Sequence, residues 1–256
     1  MRALWPALGA LTVTLVAGAA LTAQDRVDMD VVARIRAEAT TRSRALEVFN
    51  YITNVTGSRP TGSRAHKQAA DYVRDRLTAF GLANARLEPF DFGRGWELEK
   101  FSLELTAPRY FPMYGYPQSW TPSTKGTLTG TPIYVGDKSE AEITAMGERL
   151  RGAIVLAAPI QTVFTLEDRK QPADTDQPVR IGGPEPPAIR QAGSTMPAPA
   201  MAALLQRLGA GAILRPGSEL HGTATVMGNP RTAVDSVPTI IVVAEHYNML
   251  LRMMQT

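Results

Sequence analysis

Ala200-Met201-Ala202-Ala203-Leu204-Leu205-Gln206-Arg207-Leu208-Gly209-Ala210-Gly211-Ala212-Ile213-Leu214 is a short apolar helix pattern that stops on a glycine and passes directly into an apolar run. Glycine just past the last periodic residue is the usual helix stop, because it adopts a left-handed backbone without a Cβ clash. The following run is short and apolar, as in a buried strand. A dinucleotide-binding loop would carry a third glycine and run from strand into helix, the reverse of this order. The stretch therefore reads as a glycine cap followed by a core strand.

Similar units lie on both sides. Strand-like runs occur at Thr127–Val135, Ala153–Ala157, Thr223–Met227 and Thr239–Val243, and helical patterns at Glu140–Met146 and Glu245–Met254. Upstream, Asp28 and Asp30 can cap a helix through Val31, Val32, Ile35 and Ala39, and a second helical pattern runs from Ser43 through Leu46, Phe49 and Ile52. Gly57-Ser58-Arg59-Pro60-Thr61-Gly62-Ser63 breaks the chain. An amphipathic helix follows, with Ala65, Ala69, Tyr72, Val73, Leu77 and Phe80 on one face, Ser63 or Thr61 as its cap and Gly81 as its stop. Ala85–Phe92 and Leu98–Thr106 alternate like strands, with Pro89 favouring a sheet edge. Between Pro108 and Thr124 the composition turns to Pro, Tyr, Trp and Ser, which marks a domain boundary. A Pro-rich polar stretch, 159–199, reads as an insertion or lid.

The composition narrows the function classes. The chain has 256 residues, 44% apolar and 20% charged, as a globular protein does. The net charge is +3, and its arginines (Arg34, Arg36, Arg42 and Arg44 among them) are interrupted by acids and small residues. Nucleic-acid binding would need a dense basic stripe, so no nucleic-acid partner is expected. With no cysteine, thiolate catalysis, disulfides and cysteine-ligated zinc are excluded. A metal would have to use Asp, Glu and the three histidines, His66, His221 and His246. Residues 1–23 have a basic start, no charge from Ala3 to Ala23 and small residues at the end, which predicts a secretory signal. Its Ala, Gly and Thr content makes it a weak membrane anchor. The expected product is secreted or periplasmic, with no membrane attachment after cleavage.

Four segments, in this order and spacing, resemble the family of two-zinc exopeptidases that includes aminopeptidases and glutamate carboxypeptidases, often with an inserted protease-associated domain. They are Gly57–Ser63 with the helix ending Leu77-Thr78-Ala79-Phe80-Gly81-Leu82, Leu105-Thr106-Ala107-Pro108 with Tyr116-Pro117 and Ser119–Gly126, Leu150–Leu156, and Leu208–Ile213 with Val237–Val242. The resemblance implies an α/β fold in two parts. Residues 27–124 would give the first helices and edge strands of a peptidase domain. Residues 125–256 would give a β-rich protease-associated domain carrying the insertion. It also implies peptide substrates and two zinc ions in the complete enzyme. There, paired zinc ions lower the pKa of a shared water and a glutamate takes its proton.

The family's zinc motifs, a His-x-Asp and a Glu-Glu pair, do not occur. His66 is followed by Lys67-Gln68, His221 by Gly222-Thr223 and His246 by Tyr247-Asn248, and no two glutamates are adjacent. The expectation is therefore an N-terminal part of such an enzyme, with no catalytic, cofactor or metal residue of its own and inactive by itself. The alternatives are a stand-alone protease-associated binding module and an unrelated periplasmic hydrolase. No Gly-x-Ser-x-Gly elbow is present. Ser58, Ser63 and Ser194 sit in glycine-containing turns without a recognisable His and acid. Glu167-Asp168-Arg169-Lys170 reads as a solvated charge run, and Asn54-Val55-Thr56 as a chance glycosylation match. Trp96, Trp120, Tyr110, Tyr114 and Tyr116 read as packing at the domain boundary rather than as a peptide cleft.

Overall fold

The computed structural model describes residues 27–162, 196–230 and 236–255. The chain divides into two units, Met1–Val55 and Thr56–Thr256. The segment 1–23 expected to be a signal, the charge run Glu167–Lys170, Ser194 and most of the Pro-rich stretch 159–199 expected to be an insertion lie outside the described residues.

In the first unit, α1 (Met29–Thr41) starts where the aspartates place it. The Asp28 carboxylate accepts from the backbone N–H of Asp30 at 2.9 Å and of Val31 at 3.1 Å. This satisfies two of the donors that a helix start leaves open. α2 (Ala45–Asn50) follows and widens into a π-helical turn, Tyr51–Val55. None of these elements buries a residue.

The second unit begins with α3 (Arg64–Ala79). Ser63, not Thr61, is its cap, accepting from His66 N–H at 3.0 Å. Gly81 closes it at φ +89°, the left-handed conformation expected of a helix stop. Its apolar face is largely uncovered: Ala69 is buried, but Val73, Leu77 and Phe80 are 37%, 37% and 49% exposed. The strand predicted over Ala85–Phe92 does not form, and of Leu98–Thr106 only Glu104–Leu105 (β1) pairs, antiparallel with Phe111–Pro112 (β2). Alternation gives a segment two faces, but a ladder needs a partner edge, and among the described residues none pairs with these. Side chains hold the segment instead. Arg64 Nε bonds Glu97 at 2.7 Å, Trp96 Nε1 donates to Thr121 O at 3.0 Å, and Trp120 Nε1 donates to Arg94 O at 2.9 Å.

The main sheet has five strands: β3 (Gly115–Pro117), β4 (Ile133–Tyr134), β5 (Ile154–Leu156), β6 (Ala212–Pro216) and β7 (Thr239–Val242), in the order β3-β7-β6-β5-β4. β4 to β7 are parallel, and β3 closes one edge antiparallel to β7. Between them lie α4 (Glu140–Met146) and α5 (Ala198–Arg207), and α6 (Ala244–Met253) follows β7. Side chains of period two split the core. Ala212, Leu214, Leu156, Ile240 and Val242 pack with Tyr247, Leu250 and Leu251 of α6. On the other face Val155 and Ile213 pack with Ile143 of α4 and Met201, Leu204 and Leu205 of α5. Full burial of Ile143, Leu205 and Ile213 contributes roughly 1.5–3 kcal/mol each. The fold class is mixed α/β.

Local chemistry sets the ends. Ser139 and Glu142 form a reciprocal capping box at α4. Gly209, at φ +76°, ends α5. Gly211 leaves room for the turn before β5: a Cβ there would lie 2.5 Å from the carbonyl oxygen of Gly152. Two predicted strands need correction. Thr127–Val135 pairs only at Ile133–Tyr134, and Thr223–Met227 forms no strand. In the second case one backbone donor, Thr225 N–H, goes to the Glu219 carboxylate at 3.1 Å, which also accepts Ser218 N–H at 3.1 Å, and Thr223 N–H turns back to Leu220 O at 3.4 Å. Burial alone would raise the Glu219 pKa, but the bonds from Thr225 and Ser218 outweigh it and hold the carboxyl low.

Candidate functional site

The three histidines stand apart in role. His66 lies in the first turn of α3, where its backbone caps onto Ser63. His221 is exposed, at φ +63°, in the turn whose next residue, Gly222, donates its N–H to Glu245 at 3.1 Å. His246 sits in the first turn of α6 and is used structurally: its Nδ1 accepts from Tyr114 N–H at 2.9 Å. Its ring stacks on Tyr114 at 5.3 Å and meets Phe111 edge-on at 4.9 Å. Burial lowers its pKa, and the neighbouring Glu245 only partly opposes this. Among the described residues no group of three His, Cys, Asp or Glu side chains could hold a metal ion. The described donor set does not fit a two-zinc centre.

The serines offer no nucleophilic constellation among the described residues. Ser58 is exposed, and the buried Ser63 hydroxyl is engaged as a helix cap. The boundary aromatics form two groups. Trp120 packs on Phe92 at 5.9 Å, and Phe92 meets Phe90 at 6.3 Å, with both indole N–H groups bonded to backbone as above. Tyr110 and Tyr114 are each 64% exposed.

The second unit is closed by the region where its sheet is entered and left. Gly115 and Pro117 of β3 pair with Val242 and Ile240 of β7, and Val243 N–H donates to Tyr114 O at 3.0 Å. From there α6 reaches across to β5. The buried Tyr247 hydroxyl donates to Ala158 O at 2.6 Å and accepts from Ala158 N–H at 3.0 Å. Asn248 makes the same double contact with Gln161, both bonds at 2.8 Å. A cavity of about 270 Å³ lies on the α5 face of the sheet, and Arg215 of β6 lines it. Neither the clamp nor this arginine stands out in sequence reasoning. The available signal is one charged residue inside the apolar run Ala212-Ile213-Leu214-Arg215-Pro216.

Among the described residues no helix is long and apolar enough to cross a membrane. No protein-family model matches the sequence, and no curated protein matches it. Among solved structures, the chain is similar to an aminopeptidase from Aneurinibacillus sp. strain AM-1, at 16% identity over 86% of this chain and 43% of that one, with a TM-score of 0.40. It is also similar to a zinc aminopeptidase from Bacillus subtilis, at 15% identity over 82% of this chain and 40% of that one, with a TM-score of 0.46. A third similarity is to a peptidase M28 precursor from Shewanella amazonensis SB2B, at 14% identity over 89% of this chain and 48% of that one, with a TM-score of 0.49. The chain spans less than half the length of each of these proteins.

Proposed function

We propose that this chain supplies the first helices and the inserted protease-associated unit of an exported zinc exopeptidase that removes residues from peptides in the periplasm or outside the cell. Residues 1–23 act as the export signal, 27–124 belong to the peptidase part, and 125–256 form the inserted unit with the 159–199 insertion. The chain passes from one to the other near β3. The two zinc ions are held by residues that this sequence does not contain, so the chain is inactive by itself. Its partner is a peptide substrate, not nucleic acid or membrane.

The observation that carries this reading is the pairing of Gly115–Pro117 with Ile240–Val242. A unit inserted into another domain is entered and left at neighbouring points, and this antiparallel pair sets the first and last strands of the sheet side by side, with α6 following β7 and packing on the same sheet. The same closed sheet, covered on both faces, favours a second reading: a stand-alone binding module of the protease-associated type.

The coding sequence after codon 256 distinguishes the two. A frame continuing into His-x-Asp and Glu-Glu motifs supports the peptidase reading, and a stop with no such motif downstream supports the module. Metal analysis of the desalted chain should find no stoichiometric zinc, and peptide incubation should release no amino acids. One or two tightly bound zinc ions per chain, or peptide hydrolysis by the chain alone, would overturn the assignment of an inactive part.

A further inference from the structure

Tyr114 is the last residue before β3, and both of its main-chain groups bond to the start of α6. Its carbonyl accepts Val243 N–H at 3.0 Å, and its N–H donates to His246 Nδ1 at 2.9 Å. The two bonds differ in kind. The first joins backbone to backbone and contains no titrating group. The second ends on a half-buried imidazole. A backbone N–H can only donate, so the ring nitrogen that faces it carries a lone pair, and the proton of the neutral ring sits on Nε2. In the imidazolium both nitrogens carry protons, so turning the ring over restores no acceptor.

The ring also holds the β1–β2 hairpin. Phe111 of β2 meets it edge-on at 4.9 Å, and Tyr114 stacks on it at 5.3 Å. The hairpin has little support of its own. Its ladder pairs Glu104 with Pro112 and Leu105 with Phe111, and Met113 N–H adds a bond to Leu103 O at 2.9 Å. So short a ladder depends on what it packs against. The charged and titratable groups on the surrounding elements are Glu245 on α6, His221 and Glu219 in the turn whose Gly222 bonds Glu245, Glu104 on β1, and Arg109, whose guanidinium lies 4.9 Å over the Phe111 ring. Glu245 favours a cation at His246, but burial outweighs it, so the closed arrangement selects the neutral ring. Whatever selects the neutral ring when closed is opened by the proton.

We propose that His246 is a proton-operated latch: neutral, it holds Tyr114 and the β1–β2 hairpin against α6, and protonated, it releases them while the β3–β7 ladder stays paired. That ladder is made of main-chain bonds, which acid leaves intact. The inference does not depend on the peptidase reading.

The test follows amide hydrogen exchange of the full chain by NMR from about pH 7.5 downward, together with the titration of the His246 ring. The intrinsic pH dependence of exchange is divided out. Protection of Tyr114 N–H and Met113 N–H is expected to fall about tenfold or more, as for the loss of one hydrogen bond, with its midpoint at the His246 titration. Ile213 N–H, bonded to Pro238 O, and Gln118 N–H, bonded to Thr239 O, keep their protection. His246→Asn offers an oxygen at the δ position that takes no proton in this range, and it is expected to show no pH-dependent loss. His246→Phe keeps a ring without an acceptor, and Tyr114 N–H should exchange fast at every pH. If His246→Phe does not fold, the Asn variant and the wild-type titration still decide. The proposal is overturned if Tyr114 N–H stays protected after His246 has protonated, or if His246→Phe protects it as well as the wild type does. The same pH-dependent loss in His246→Asn also overturns it, because the carboxylates are then the cause. So does a loss at Ile213 in step with Tyr114, which is unfolding of the whole unit and not a latch.

Discussion

His246 Nδ1 accepts the backbone N–H of Tyr114 at 2.9 Å, joining the first turn of α6 to the residue that precedes β3. The bond requires a neutral imidazole, because a proton on Nδ1 turns the acceptor into a donor facing another donor. Burial lowers the His246 pKa below its ordinary value of 6.5, with Glu245 opposing. As pH falls, the unfolded chain takes up the proton first, so folding stability decreases. The contribution is complete above about pH 6.5, declines below it, and is fully lost once His246 protonates in the folded state. Urea unfolding between pH 8 and pH 4 should show this drop, and His246→Gln should flatten it. An identical pH profile in the variant would remove His246 as the cause.

Tyr247 and Asn248 tie α6 to the chain beyond β5. Tyr247→Phe keeps the ring and deletes the hydroxyl, leaving the N–H and C=O of the buried Ala158 without that partner. The expected loss is about 1–3 kcal/mol, the cost of a buried polar group left unpaired. Chemical denaturation should show a lower midpoint at unchanged m-value. A midpoint equal to wild type would mean that water replaces the hydroxyl.

Gly211 sits against the backbone of Gly152, with no room for a side chain. Gly211→Ala would place a methyl 2.5 Å from a carbonyl oxygen, and backbone cannot swing aside as a side-chain tip can. We expect a destabilisation of roughly 1–3 kcal/mol, as for overpacking in a core. The control is Gly222→Ala, where nothing lies within 4 Å and the positive φ is the only penalty. Equal and small losses at both sites would argue against the close approach.

Protease should act unevenly along the chain. α1, α2 and the π-helical turn bury no residue, and residues 85–103 belong to no ladder. Few buried contacts and unpaired backbone mark segments that open at low free energy. Limited proteolysis followed by mass spectrometry should find early cuts in 27–55 and 85–103, while β5, β6, β7 and α6 persist. Early cleavage inside β6 or α6 would contradict this order.

The sequence by itself determined the punctuation of the fold. Gly81 and Gly209 act on neighbours within a few residues, so those stops are legible where they stand; the choice of Ser63 over Thr61 and of Asp28 over Asp30, and the Ser139–Glu142 box, came from the structure. The apolar runs of β5, β6 and β7 are equally legible, because a strand buried on both faces needs no alternation to be recognised. Tertiary structure alone decided the rest. Ala85–Phe92 alternates yet pairs with no described strand, and Thr223–Met227 forms none, its Thr225 N–H going to Glu219 instead, because a ladder depends on which edge is available and not on the segment itself. The bond from Tyr114 to His246 spans 132 positions, and the clamp from Tyr247 to Ala158 spans 89. Nothing local encodes either one. Arg215 is a single charge in an apolar run, and only the sheet register and the packing of α5 decide what it meets, because whether a charge is solvated or covered depends on which elements pack over it.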